Sequence, residues 1–388
     1  MYHRHISQEL KDLAQDYPVV TVIGPRQSGK TTLVRHLFPQ KPYVNLEALD
    51  TQELAKTDPR AFLARYPDGA ILDEIQRTPE LLSYIQLIVD EKKIKGMYIL
   101  TGSHQLLLHQ AITQSLAGRT ALLNLLPLSL RELTEAGIEN SMDESLLKGG
   151  YPRIYQDQLD PTKAYRNYFQ TYVERDLRQL IHVKDLMQFQ RFIRICAGRV
   201  GQLLNLEGIG NDVGISSHTV KEWISILEAS FILFRIQPYH ENFGKRVIKS
   251  SKIYFYDVGL ASYLLGIETT AQVARDPLRG NLVENLIVTE LLKSRFNQGK
   301  DPQLYFFRDT HGHEVDLIFQ TANELVPIEI KASQTFHQDF LKNLLYFQTL
   351  VGERSHRGAL IYAGSLEQSV NTIDVLNYKH AEKALIPS

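Results

Sequence analysis

Two groups of residues in this chain have the types and spacing to do chemistry on phosphates. The first, Gly24-Pro25-Arg26-Gln27-Ser28-Gly29-Lys30-Thr31-Thr32, contains G-x-x-x-x-G-K-T. Its glycines let backbone N–H groups wrap a phosphate at a helix N-terminus, where the helix dipole also favours negative charge. In that arrangement Lys30 reaches the β- and γ-phosphates of ATP and Thr31 ligates Mg²⁺. Further along, AILDEIQ reads as a buried strand ending in Asp73 and Glu74. An acid just past a strand holds Mg²⁺ through water, and the next one orients or deprotonates the attacking water. Asp73 is therefore assigned to metal and Glu74 to general base; the plainer alternative is two surface acids at a strand end.

The second group comprises Glu284, Asp316, Glu329 and Lys331. HEVDLIF and LVPIEIKAS read as antiparallel strands joined by the turn QTANE, which brings Asp316 near Glu329. Glu329 and Lys331 are two apart in a strand and so share one face. An acid in an apolar strand is costly to bury unless it binds a cation or a partner. Asp316, Glu329 and the carbonyl of Ile330 can hold Mg²⁺ or Mn²⁺, while Lys331 orients water or stabilises charge on a phosphodiester. Glu284 completes the site from RGNLVENLIVTELLKSRF, an expected amphipathic helix with Val283, Leu286, Ile287 and Leu291 inward. The competing reading is a Lys–Glu pair that stabilises the fold and cuts nothing. Gln348 reads as a surface glutamine. His311 and His313, with no ordered third ligand nearby, read as a polar hairpin turn rather than a zinc site.

The elements that must position these groups are legible too. VVTVI is a β-branched strand ending at Gly24, and TTLVRHLF has helical spacing, with Leu33 and Leu37 four apart. GMYILTGSHQLL gives another strand, Met97 to Leu100, followed by Thr101 and Ser103. Those hydroxyls either lie near the γ-phosphate at the carboxyl end of a parallel sheet or cap a helix. Arg119 precedes a further apolar strand. It either neutralises charge on the transferred phosphate, from its own chain or a neighbouring subunit, or is a surface salt-bridging arginine.

GPRQSGKTTL, ILDEIQ, LTGSH, SLAGR and LPLSLREL together resemble a prokaryotic group of AAA-type ATPases that carry a C-terminal domain of unknown function. The resemblance implies ATP binding by Gly24 to Thr32, Asp73 and Glu74 as the acidic pair, and more weight on Arg119. Asp316 followed by Glu329-x-Lys331, after a helix bearing Glu284, resembles the PD-(D/E)xK nuclease superfamily.

Between these regions, KGGYPRIYQ is a glycine and proline break, and the stretch from Ala164 to Leu204 is mostly helical, with Arg175 and Asp176 read as an ion pair or solvated face. A helix then ends near Gly214, and Ser216 or Ser217 caps a second helix carrying Thr219, Lys221 and Trp223. FILFRIQPY and KIYFYD are β-rich and joined by a loop with Lys245, Arg246 and Lys249, which suits the wing of a winged helix. Ser217, His218, Lys221 and Glu222 would face a DNA major groove; since Glu222 and Glu228 dilute the positive charge, a protein partner is the alternative. The expected class is α/β: a P-loop parallel-sheet domain (1–145), a helical lid or connector (146–200), a winged helix (201–270) and a restriction-endonuclease-like domain (271–388).

Composition narrows the rest. At 388 residues, 43% of them hydrophobic, the chain can build two or three cores. The 43 lysines and arginines balance 44 aspartates and glutamates, so any basic surface is local. The single cysteine, Cys196, and a start without an apolar signal core suit a reducing cytoplasm, and no apolar run suggests membrane insertion. The expected function is Mg²⁺-dependent ATP hydrolysis linked to a DNA-binding region that either cleaves DNA or only recognises it.

Overall fold

Short apolar runs alternating with helices build a parallel sheet in the amino-terminal part of the chain. The computed structural model describes residues 2–103, 115–172, 186–239 and 249–386. It divides the chain into two units: 1–128 with 229–231 and 295–300, and 129–228 with 232–294 and 301–388. In the first unit lie β1 (Val19–Ile23), β2 (Tyr43–Asn45), β3 (Ile71–Asp73), β4 (Tyr98–Gly102) and β5 (Thr120–Asn124). They are ordered β2-β3-β4-β1-β5, and every adjacent pair is parallel. β1, β3 and β4 are buried along their whole length, which explains their unbroken apolar runs. Val20, Val22, Ile71, Ile99 and Leu123 pack with Leu33 and Val34 of the helix Lys30–Leu37 and with Leu10 of the helix Ser7–Asp16. Because all five strands run the same way, Gly24, Asp73 and Thr101 come to one edge of the sheet, where ligands of such sheets sit. β4 extends past Leu100 to Gly102, so Thr101 belongs to the strand itself.

The second unit holds β6 (Leu233–Pro238), β7 (Lys252–Phe255), β8 (Leu304–Arg308), β9 (Glu314–Gln320), β10 (Leu325–Lys331), β11 (Gly358–Tyr362), β12 (Gln368–Val370) and β13 (Ile373–Asn377). These form one mixed sheet, β12-β13-β11-β10-β9-β8-β6-β7. β9 and β10 are antiparallel with Ile328 opposite Leu317, so Asp316 and Glu329 are brought side by side at the end of the ladder.

The two compact units divide after Leu128, and β6, read as part of the winged helix, runs parallel to β8 with Gln237 opposite Tyr305. The helix Arg279–Phe296 is not amphipathic: from Leu282 to Lys293 it is buried around nearly its whole circumference. Its polar residues explain how. Asn285 accepts the N–H of Phe255 at 2.6 Å and donates to its carbonyl at 3.0 Å, so one side chain satisfies both backbone groups of Phe255 at the outer edge of β7. Glu290 pairs with Lys293 at 2.7 Å.

The helices Leu206–Val213 and Ser217–Ala229 are separated by Gly214, whose φ of 83° ends the first in the left-handed region. Ser216 Oγ accepts the N–H of Thr219 at 3.1 Å and so caps the second. Trp223 packs edge-on against Phe189 and Phe192, leaving Ser217, His218, Lys221 and Glu222 exposed. Lys249 is exposed, whereas Arg175, Asp176, Lys245 and Arg246 lie outside the described residues. Among the described residues, no helix is long and apolar enough to cross a membrane.

Asp257 fastens the helix Val258–Leu264. Buried at 3% exposure, it accepts from the N–H groups of Gly150 (2.7 Å) and Leu260 (3.0 Å) and from the Tyr165 hydroxyl (2.5 Å). Asp257→Ala strands the N–H groups of Gly150 and Leu260, while Tyr165 keeps the carbonyl of Lys148 at 2.9 Å, and should cost about 2–4 kcal/mol. A urea titration should show the second unit's midpoint falling with little change in slope.

Candidate functional site

The phosphate loop leaves β1 at Gly24, where a Cβ would lie 2.1 Å from the carbonyl oxygen of Leu125. Only glycine fits that approach. Gln27 (φ 64°) and Gly29 (φ 95°) are both left-handed, turning backbone N–H groups inward before the helix opens at Lys30. The buried Arg4 braces this loop by donating to the carbonyls of Ser28 (2.8 Å) and Leu126 (2.6 Å). Ser28 Oγ is buried with no hydrogen-bond partner among the described residues, an orphan that suits a phosphate oxygen. Pro25 is buried, Gln27 and Thr32 are exposed, and Arg26 reaches Glu47 at 3.1 Å.

Lys30 turns its ammonium onto the carbonyls of Gly24 (2.9 Å) and Pro25 (2.8 Å). Burial lowers its pKa to about 8 despite the opposing pull of Glu74 and Asp73. Thr31 Oγ1 is 3.0 Å from both oxygens of Asp73, the first acid of ILDEIQ. Tyr43 donates to Asp73 Oδ2 at 2.7 Å and Thr101 donates to Oδ1, fixing the carboxylate from two more strands. Desolvation and the Asp73 hydrogen bond push the Tyr43 phenol well up, so it stays a donor.

Glu74 stands in left-handed backbone at φ 58°, a strain uncommon outside glycine and of the kind stored at functional positions. Its N–H donates to Thr101 Oγ1 at 3.2 Å, and its Oε2 accepts from Ser103 (3.1 Å) and from Gln76. Thr101 and Ser103 thus bond the two acids. Arg119 is elsewhere. Its carbonyl takes the N–H of Val19 at the amino end of β1, roughly 15 Å of strand away from the phosphate loop. Its guanidinium forks onto Asp90 at 2.6 and 2.8 Å. The expectation that it meets phosphate on its own chain is corrected by this strand direction.

The second unit brings together Glu284, Asp316, Glu329 and Lys331. Asp316 Oδ2 accepts the N–H of Ile330 at 2.8 Å, and Glu329 Oε1 meets Lys331 Nζ at 2.5 Å. Glu329 is 4% exposed, and its Oε2 is buried without a partner among the described residues. Burial first, then the charge of Asp316, raises its pKa above the carboxylate range, and Lys331 only partly offsets them. An orphaned oxygen in a crowded carboxylate set fits a hard divalent cation held by Asp316 and Glu329.

Glu284 is placed differently from expectation. It accepts from Tyr254 (2.6 Å) and from Lys252 (2.9 Å), and Lys252 also meets Glu314 at 2.6 Å. Neither Lys252 nor Glu314 stood out by motif, although Glu314 lies two residues from Asp316, on the same face of β9. Gln348 accepts from Thr372 at 2.9 Å, and His313 stacks on Tyr346 while bonding Asp309, as suits a turn.

Comparison with known proteins places residues 16–134 in the family described as AAA domain. Residues 139–271 and 279–381 match two families each described as a domain of unknown function. An uncharacterised protein of Mycobacterium tuberculosis is 29% identical over 86% of this chain and 74% of its own length. One from Haemophilus influenzae is 24% identical over 85% and 86%. Among solved structures, a Walker-type ATPase of Pyrococcus abyssi aligns with 68% of this chain and 96% of its own, at 16% identity and a TM-score of 0.47. Residues 16–134 are therefore similar to AAA domains, and the regions after them match families of their own.

Phosphate binds the ammonium form of Lys30, so binding raises a pKa that is about 8 in the free loop. Nucleotide affinity should be full below pH 8 and fall by up to about tenfold per pH unit above it. Titration with a fluorescent ATP analogue from pH 7 to 9.5 checks this.

Proposed function

We propose that this chain is a Mg²⁺-dependent ATPase whose second unit binds DNA and carries a divalent-cation site for phosphodiester cleavage. The observation that carries the ATPase reading is the bond of the Thr31 hydroxyl to both oxygens of Asp73, with Glu74 next in sequence at the same sheet edge. Mg²⁺, when bound by Thr31 and, through water, by Asp73, neutralises charge on the β- and γ-phosphates. Lys30 transfers its hydrogen bonds from the loop carbonyls to phosphate oxygens. Ser103 and Gln76 fix Oε2 of Glu74, leaving Oε1 to take the proton of the attacking water. Arg119 fits this scheme only as a contribution to a neighbouring subunit's phosphate.

In the second unit, a divalent cation on Asp316 and Glu329 would activate water and polarise the phosphodiester. Lys331 stands beside Glu329 to stabilise the developing charge. Ser217, His218, Lys221 and Glu222 are exposed on one helix and suit a groove, with Lys249 suited to phosphate. A second reading, a nucleotide-switched DNA- or protein-binding module with an inert second unit, draws on Glu284: Lys252 and Tyr254 already satisfy it.

Lys30→Ala should abolish nucleotide binding or turnover, and Glu74→Gln should retain binding while losing at least about 100-fold in hydrolysis. Normal turnover in either variant removes that residue from the mechanism. For the second unit, duplex, single-stranded and branched DNA are incubated with Mg²⁺ or Mn²⁺, with and without ATP. Cleavage lost in Asp316→Ala supports the nuclease. Salt-sensitive binding by both proteins without cleavage supports the inert module, and ATPase activity indifferent to DNA points to a protein partner.

A further inference from the structure

Lys252 is 2% exposed, yet it sits in an acidic cluster rather than at the surface. Its Nζ lies 2.9 Å from Glu284 Oε1 and 2.6 Å from Glu314 Oε1. Tyr254, two residues along the same face of β7, donates to that same Glu284 oxygen at 2.6 Å. The ring of Phe306 lies 5.5 Å from the ammonium, and Arg308 takes the other oxygen of Glu314 at 3.2 Å. Burial opposes the charge of Lys252, but Tyr254 and then Glu284, Asp316 and Glu314 outweigh it and raise the pKa, so the group is positively charged.

The acids of this unit therefore fall into two sets. Glu284 and Glu314 surround Lys252; Glu329 and Asp316 lie beside Lys331 and the N–H of Ile330. Asp316 is electrostatically coupled to both sets. A pair of divalent cations on a phosphodiester needs oxygens from both sets, with the shared acid between them. In one set Oε2 of Glu329 is buried without a partner among the described residues, whereas in the other Oε1 of Glu284 and Oε1 of Glu314 are both taken by the Lys252 ammonium. The other is arranged around an ammonium at 2.6 and 2.9 Å, longer than the roughly 2.0–2.1 Å that Mg²⁺ requires.

We infer that Lys252 is a built-in counter-ion that restricts the second unit to one divalent cation, because its ammonium occupies the position between Glu284 and Glu314 where a second cation would sit. This rests on the reading of Asp316 and Glu329 as cation ligands. It makes any phosphodiester chemistry here single-cation chemistry, with Lys331 as the second positive charge at the reacting group.

The test counts Mn²⁺ on the nucleotide-free full-length protein by the electron paramagnetic resonance signal of the unbound ion. The wild type should bind one Mn²⁺ that Asp316→Ala removes. Lys252→Met should bind two, the added one lost again when Glu284→Gln is combined with it. Lys252→Arg keeps the charge and should bind one. Glu314→Gln, which opens no buried cavity, should also leave one and serves if the Met variant does not fold. Two ions in the wild type, one of them lost in Glu314→Gln, overturn the inference, as does a folded Lys252→Met protein that binds only one. If Asp316→Ala removes no Mn²⁺ from the wild type, the cation-site reading itself fails, and the inference falls with it.

Discussion

An ionised side chain taken out of water must meet a partner or change its protonation, and the candidate sites of both units are built around that requirement. Asp73 and Lys30 are each 5% exposed. Asp73 meets hydroxyls from Thr31, Tyr43 and Thr101, contributed by a helix and two strands. Lys30 bonds two uncharged backbone carbonyls, and burial lowers its pKa despite Glu74 and Asp73 nearby. The loop is thus poised toward an anion: a phosphate would supply the charge that the carbonyls lack. The same rule shapes the second unit, where Lys252 holds Glu284 and Glu314 while Glu329 keeps one unmet oxygen.

How much of this was legible follows from whether the determinants are local. The phosphate loop was, because glycines at fixed offsets before a lysine and a hydroxyl encode a backbone path that needs no tertiary information. Asp73 and Glu74 were legible because a strand end is marked by where its apolar run stops. Asp316 and Glu329 were legible because hairpin register fixes which residues are neighbours. Arg4, Tyr43 and Lys252 were not: each reaches its partners through chain separation, and nothing adjacent in sequence marks a lone arginine, tyrosine or lysine as special. Arg119 shows the opposite failure. A suggestive residue type beside a strand says nothing of which end of the sheet it occupies, and the parallel direction of β5 puts it at the wrong one.

Patterning also misjudged the long helix and the hairpin, for a related reason. RGNLVENLIVTELLKSRF contains enough polar residues to read as one-sided, but Asn285, Thr289, Glu290 and Lys293 are buried with their partners supplied. A polar residue counts as a surface signal only while its hydrogen bonds go to water. Likewise, β6 and β7 carry the composition of a free-standing wing, yet β6 has a second edge to satisfy. Pairing with β8 does so, and the sheet continues through the boundary that composition suggested.

That continuation gives the helix pair Leu206–Val213 and Ser217–Ala229 a particular mechanical setting. Ser217–Ala229 leads within a few residues into β6, which is hydrogen-bonded to β8; β8 pairs with β9, the strand that carries Asp316. β7, on the other side of β6, carries Lys252. The helix therefore leads directly into the hydrogen-bonded sheet that carries the carboxylate cluster, instead of standing off on a long linker. A ligand held on Ser217, His218 and Lys221 would be held at a fixed offset from Asp316 and Glu329, because ladder hydrogen bonds do not lengthen as a linker does.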